Sequence, residues 1–86
     1  MQEKLFEKIS VILSYNAEKN TAIPYKIRWR LRDYFIKELA YHHKVREGRD
    51  LLHIFHVTDG NFDFRIRFNT ENLNWILEEV SDGSPD

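Results

Sequence analysis

The stretch LLHIFHVTDGNFDFRIRF, residues 51–68, decides the predicted fold, because two strand-like runs flank a single turn signal. Both runs are rich in β-branched and aromatic residues, which favour strands. Between them lie Asp59 and Gly60, the preferred pair for a two-residue type I′ turn. We therefore predict an antiparallel hairpin with strands at 51–57 and 62–68.

The alternation along this hairpin assigns one face to the core. With the turn at Asp59 and Gly60, Val57 pairs with Phe62, and successive side chains point to opposite faces. The opposite face carries Arg65 and Arg67, which should reach solvent or a partner. The predicted core face consists of Leu51, His53, Phe55, Val57, Phe62, Phe64, Ile66 and Phe68.

On either side of the hairpin, apolar residues recur at helical spacing. Residues 2–16 place Leu5, Ile9 and Leu13 on one stripe and predict an N-terminal amphipathic helix. Residues 70–81 predict a C-terminal helix, since Asn69 or Thr70 can cap it. The apolar stripe of this second helix is Leu73, Ile76, Leu77 and Val80.

The segment 23–46 admits two interpretations. A strand over 23–32 would alternate Ile27 and Trp29 with arginines, and a helix over 33–46 would follow and end at Gly48. A continuous helix from Pro24 is the other interpretation, since proline is tolerated in a first turn. We favour the continuous helix, because 25–47 contains no turn residues.

Together these elements predict an α+β fold, with one domain over 1–81 and a disordered tail over 82–86. Eighty-six residues suffice for one domain, and 42% of them are hydrophobic. The absence of cysteine excludes disulfides and thiolate metal sites. No apolar run approaches the roughly 18 residues that span a membrane, so we expect a cytoplasmic protein with no membrane partner.

The net charge of −1 conceals strong segregation. Residues 26–49 hold eight cations against three acids, whereas residues 50–86 hold two cations against eight acids. The basic middle therefore predicts an acidic partner, which could be another protein surface or a second copy of the chain. The acidic residues of 71–82 could instead neutralise it within one molecule.

Signals of catalysis or metal binding are weak. The chain has no Gly-rich phosphate loop, no G-x-S-x-G and no H-E-x-x-H. His42 and His43 are neighbours on a predicted helix, and His53 and His56 point to opposite faces of a strand. Since zinc needs three or four converging ligands, we predict no metal site, no cofactor and no enzymatic activity.

The basic segment YKIRWRLR, residues 25–32, is the main candidate binding site. Arginine is enriched at protein interfaces, and the segment predicts a binding or regulatory protein that acts through protein–protein contacts. Nucleic-acid binding through the same cations is the alternative, because arginine suits phosphate and flat rings suit stacked bases. Trp75, on the acidic face of the predicted C-terminal helix, is a possible interface anchor. The predicted partner-binding residues are Arg28, Trp29, Arg30, Arg32, Arg65, Arg67 and Trp75.

Overall fold

The computed structural model describes residues 2–82, which form eight β-strands in two antiparallel sheets. The predicted α+β fold is wrong, because these residues contain no helix. The described residues accordingly include no helix that could cross a membrane. Residues 83–86 of the predicted tail lie outside the described residues. The strands are β1 Gln2–Lys8, β2 Ser10–Asn16, β3 Thr21–Trp29, β4 Arg32–Phe35, β5 Glu38–Glu47, β6 Asp50–Thr58, β7 Asp63–Asn69 and β8 Trp75–Ser81.

Two stretches of chain pass directly from one sheet to the other. The five-stranded sheet has the order β1-β8-β7-β6-β5, and the three-stranded sheet has the order β2-β3-β4. A single residue, Ile9, separates β1 from β2, and its N–H donates to the Trp75 carbonyl at 3.1 Å. Between β4 and β5, Ile36 N–H donates to β3 and Lys37 N–H donates to β6. The strand pairings and these two chain connections together form a closed circuit around one core.

The core lies between the two sheets. The three-stranded sheet contributes Ile27, which is fully buried against the inner face of the five-stranded sheet. Burying each such side chain contributes about 1.5–3 kcal/mol, so this layer supplies much of the driving force for folding. The buried cluster consists of Ile27, Phe55, Val57, Phe64, Ile66, Leu77 and Val80.

The predicted hairpin is present as β6 and β7, but its register differs by two residues. Thr58 pairs with Asp63, so the loop has four residues instead of two. The Asp59 carboxylate organises this loop by accepting hydrogen bonds from the N–H groups of Asn61 at 2.9 Å and Phe62 at 2.7 Å. Because the shift is even, the predicted core face keeps its residues except Phe62, which lies in the exposed loop.

The predicted C-terminal helix 70–81 is a turn followed by β8. Residue Glu78 is a bulge, since Arg65 pairs with Glu79 and the next residue of β7 pairs with Leu77. The extra residue puts Leu77 and Val80, both buried, three positions apart on the same face. The bulge therefore gives β8 two buried apolar residues at the i, i+3 spacing that is typical of a helix.

The other predicted helices are also strands. The N-terminal helix 2–16 is replaced by β1 and β2, and the continuous helix from Pro24 is replaced by β3, β4 and β5. The strand alternative for 23–32 was correct for β3, whereas its helix over 33–46 was wrong. Gly48, with φ of 62°, does not end a helix but forms the tight turn between β5 and β6.

Candidate binding surfaces of the two sheets

The basic segment is divided between β3 and the turn that leads to β4. This turn consists of Arg30 and Leu31, whose φ angles are 52° and 66°. Two consecutive positive φ values are typical of a type I′ hairpin turn, which normally uses asparagine or glycine. The Leu31 side chain is 86% exposed, so the strained tip of the hairpin presents an apolar group to solvent.

Two carboxylates form ion pairs with three cations of the basic segment, Lys26, Arg28 and Arg30. Across the β3–β4 pair, Asp33 lies 2.9 Å from Arg28 Nη1 and 3.7 Å from Lys26 Nζ. From β1, the Glu7 carboxylate accepts a hydrogen bond from Arg30 Nη2 at 2.6 Å. This hydrogen bond lowers the pKa of Glu7. These partners come from β1 and β4, whereas the sequence had suggested residues 71–82.

Trp29 lies between the three-stranded sheet and β1. Its ring is half-buried and packs against the core cluster. Its indole Nε1 donates to Glu7 Oε1 at 2.9 Å, and the Arg30 guanidinium lies 4.8 Å from the ring centroid. Trp29 thus connects the three-stranded sheet to β1, and the structure gives it a packing role.

The outer face of the three-stranded sheet combines apolar and cationic side chains. Ile12, Lys26 and Phe35 stand in register across β2, β3 and β4, so their side chains share one face. A bulge in β3 turns Tyr25 outward, where its ring meets Phe35 edge-on at 5.9 Å. Ile12, Tyr25 and Phe35 are each about half exposed. We call this surface, Ile12, Tyr25, Lys26, Arg28 and Phe35, the basic-aromatic face.

Arg65 and Arg67 lie on the other sheet, apart from the basic-aromatic face. Their Nε atoms are 2.8 Å and 3.4 Å from the two carboxylate oxygens of Glu78, the bulge residue of β8. The Glu78 side chain is only 12% exposed, so one shielded carboxylate contacts both arginines, and a Glu47 carboxylate oxygen lies 3.9 Å from Arg67 Nη1. The structure therefore separates the predicted cations into two groups.

Trp75 lies at the inner face of the five-stranded sheet, half-buried and not on an exposed acidic surface. Its ring stacks on Phe68 with centroids 4.6 Å apart and contacts Phe55 at 5.7 Å. These rings line a cleft of about 450 Å³ between the sheet and the β2–β3 hairpin. Leu13 and Ile23 contribute to the wall formed by the hairpin.

Two histidines complete the aromatic wall of this cleft. His42 Nε2 and His53 Nδ1 are 2.9 Å apart, and the His42 ring stacks on Phe55 at 4.4 Å with an interplanar angle of 3°. Burial lowers the pKa of both imidazoles, and the nearby Lys44 ammonium lowers it further. Both rings are therefore predominantly neutral near pH 7.

Sequence reasoning missed this pair because it placed His42 on a helix. The signal that could have found it is Gly48, which favours a tight turn as well as a helix end. A hairpin centred there places His42 opposite Phe55 and diagonal to His53.

Within residues 2–82, no group of three or more histidine, cysteine, aspartate or glutamate side chains could hold a metal ion. Among known proteins, no family model, no curated protein and no solved structure matches this chain.

Proposed function

We propose that this chain is a small non-enzymatic binding protein that holds an acidic protein surface against its basic-aromatic face. The observation that carries the proposal is the row of half-exposed apolar side chains, Ile12, Tyr25 and Phe35, beside cations that outnumber their carboxylate partners. Exposed aromatic and arginine side chains are the groups most enriched at protein interfaces.

The charge distribution supports an acidic partner. Residues 10–35, which form the three-stranded sheet and its turns, hold five cations and two carboxylates, a net charge of +3. The rest of the chain carries −4, so the three-stranded sheet is basic and the remainder of the chain is acidic. Complementary charge steers association and excludes basic partners.

The existing ion pairs do not prevent such binding. Exposed pairs such as Arg28 with Asp33 are worth about 0–1 kcal/mol, so a partner carboxylate can replace Asp33 at little cost. Leu31 also supports a binding role. A leucine at positive φ destabilises the fold, and its exposed side chain contributes no buried apolar surface to offset that cost. Backbone strain of this kind clusters at binding sites.

Nucleic acid is a weaker candidate for the same face. The chain has a net charge of −1 and an isoelectric point near 6.4, whereas dedicated nucleic-acid binders usually have a strongly basic domain. Flat aromatic rings and arginine would nevertheless suit a single strand, so the experiment includes this outcome.

Site-specific photo-crosslinking in the source cell tests the proposal. A benzoylphenylalanine at Phe35 should crosslink an identifiable protein through an acidic surface, and Lys26→Glu with Arg28→Glu, both on the same face as Phe35, should abolish the product. The same probe at Leu73, which is equally apolar and more exposed but lies between β7 and β8, is the matched control. Equal crosslinking at both positions would contradict the proposal, as would crosslinking to nucleic acid. A product of twice 10.4 kDa would make a second copy the partner.

A further inference from the structure

The cleft between the β2–β3 hairpin and the five-stranded sheet lies apart from the basic-aromatic face, and its geometry points to a second binding site. We propose that it binds a small planar heteroaromatic ring that carries a negative charge. Its volume of about 450 Å³ falls within the usual range for small-molecule sites, roughly 300–1,000 Å³. Such sites combine apolar walls with a few polar groups, as this one does.

The first argument is the arrangement of the rings. His42 lies nearly parallel to Phe55, and Trp75 stacks on Phe68 at an interplanar angle of 27°. The side chains that line the cleft thus already form parallel stacks, onto which a further flat ring can be added. Stacking of a heterocycle on such side chains contributes about 1–3 kcal/mol, whereas an aliphatic ligand lacks this term.

The second argument is the hydrogen bond between the two imidazoles. Each neutral imidazole has one donor and one acceptor nitrogen, so one ring donates and the other accepts at the 2.9 Å contact. If His42 donates, its Nδ1 is left as an acceptor and His53 Nε2 as a donor, and the opposite tautomers exchange these roles. In either state the pair offers one donor and one acceptor. This set matches heterocycles that carry a ring nitrogen beside an amino or carbonyl group.

The third argument is charge. Lys44 lines the same cleft, and among residues 2–82 no carboxylate does. Its ammonium is close enough to lower the pKa of both His42 and His53. An anionic group on the ligand would neutralise Lys44 while the ring stacks deeper in the cleft.

Titration by nuclear magnetic resonance tests the site with three probes: adenosine 5′-monophosphate, flavin mononucleotide and indole-3-acetate. At least one of them should shift the Trp75 indole N–H signal together with the ring signals of His42 and His53. Neutral adenosine and ribose 5-phosphate separate the ring from the charge, and both should bind more weakly than adenosine 5′-monophosphate if that probe binds.

Matched variants identify the contacts. Lys44→Gln should weaken the anionic probes about fivefold and leave adenosine unchanged, as expected for one exposed charge contact. Lys4→Gln, which removes a cation from the outer surface, should change nothing. His53→Phe preserves a stacked ring but removes the polar nitrogens, and should weaken binding about fivefold. His56→Phe, on the opposite face of the same strand, should have no effect.

Four outcomes would overturn the proposal. The first is that none of the three probes shifts the cleft signals at millimolar concentration, and the second is that ribose 5-phosphate binds as tightly as the nucleotides. The third is that Lys44→Gln weakens the binding of adenosine and of the nucleotides equally. The fourth is that Zn²⁺ alone shifts the signals of His42 and His53 while the probes do not. The last result would make the histidine pair a metal site. All of these measurements use the full chain and leave the basic-aromatic face unchanged, so their failure does not affect the proposed protein partner.

Discussion

Replacing Leu31 with glycine should stabilise the protein, and the turn between β3 and β4 allows the magnitude to be worked out. Leu31 has φ of 66°, where the Cβ of an L-amino acid lies too close to the backbone. This conformation costs about 1–2 kcal/mol for a residue with a side chain and almost nothing for glycine. The side chain is 86% exposed, so its removal sacrifices little buried apolar surface.

The entropy of the unfolded chain works in the opposite direction. Glycine loses about 0.5–1 kcal/mol more backbone freedom on folding than other residues do. The relief of strain exceeds this cost, and the expected net stabilisation of Leu31→Gly is about 0.5–1 kcal/mol. For a chain of this size, the corresponding rise in Tm is about 2–8 °C.

Urea unfolding followed by tryptophan fluorescence measures the change in the free energy of unfolding. Leu31→Ala is the control, because alanine removes the same exposed side chain but keeps the Cβ that causes the strain. Alanine should leave the free energy of unfolding within about 0.3 kcal/mol of the parent. If Leu31→Gly destabilises the protein, or matches Leu31→Ala, the argument from backbone strain is refuted. The proposed partner contact adds a second expectation, that the more stable variant binds its partner less well.

Three further predictions concern the core, one turn and the cleft. Leu77→Ala should lower the free energy of unfolding by about 2–5 kcal/mol, because Leu77 is fully buried in the main cluster; a loss below about 1 kcal/mol in urea titration would contradict this packing. Gly60→Ala should cost about 1 kcal/mol by the same titration, since Gly60 has φ of 101° and a Cβ would lie 3.4 Å from Lys37 Cδ; an unchanged midpoint would contradict it. Burial lowers the pKa of His42 and His53 below the ordinary value near 6.5, so the unfolded chain takes up more protons and stability should fall as the pH drops below about 6.5. Urea titrations at several pH values should give a shallower fall in His42→Phe or His53→Phe, and an equal fall would show that other groups dominate.

The hairpin of β6 and β7 could be predicted because alternation and turn chemistry agree there. Its register could not, since Asp59 and Gly60 lie in a four-residue loop whose backbone N–H groups donate hydrogen bonds to the Asp59 carboxylate. A four-residue loop and a two-residue loop leave the same side chains on the same face. The strand pattern alone therefore cannot distinguish them.

Two physical reasons explain the mispredicted helices: several strands contain bulges, and the turn between β3 and β4 is formed by Arg30 and Leu31, which are not typical turn residues. In β5 the unpaired residue is Ala40, and Leu39 and His42 consequently share the inner face although they are three positions apart. In β8 the bulge at Glu78 does the same for Leu77 and Val80, as described above. Helical spacing with β-branched and aromatic composition is the combination that should suggest bulged strands.

The candidate binding residues were only partly accessible to sequence reasoning. The concentration of cations in 25–32 is visible in the sequence, and the strand alternative places Lys26 and Arg28 on a strand, but it contains no turn at Arg30 and Leu31. What the sequence could not reveal was that Glu7, more than twenty residues away, binds both Trp29 and Arg30. Contacts of that separation depend on how β1 is placed, which no local pattern specifies.

The pairing of β1 with β8 has a consequence for how fast the protein folds. Gln2 pairs with Ser81, so the circuit of strands closes through contacts between opposite ends of the described chain. Folds dominated by such distant contacts are slow, typically in the range of milliseconds to seconds. During synthesis at about 5–20 residues per second, β1 must wait roughly 3–13 s for β8 to be made. For that interval β1 lacks its partner strand, and an unpaired strand edge is a template for aggregation.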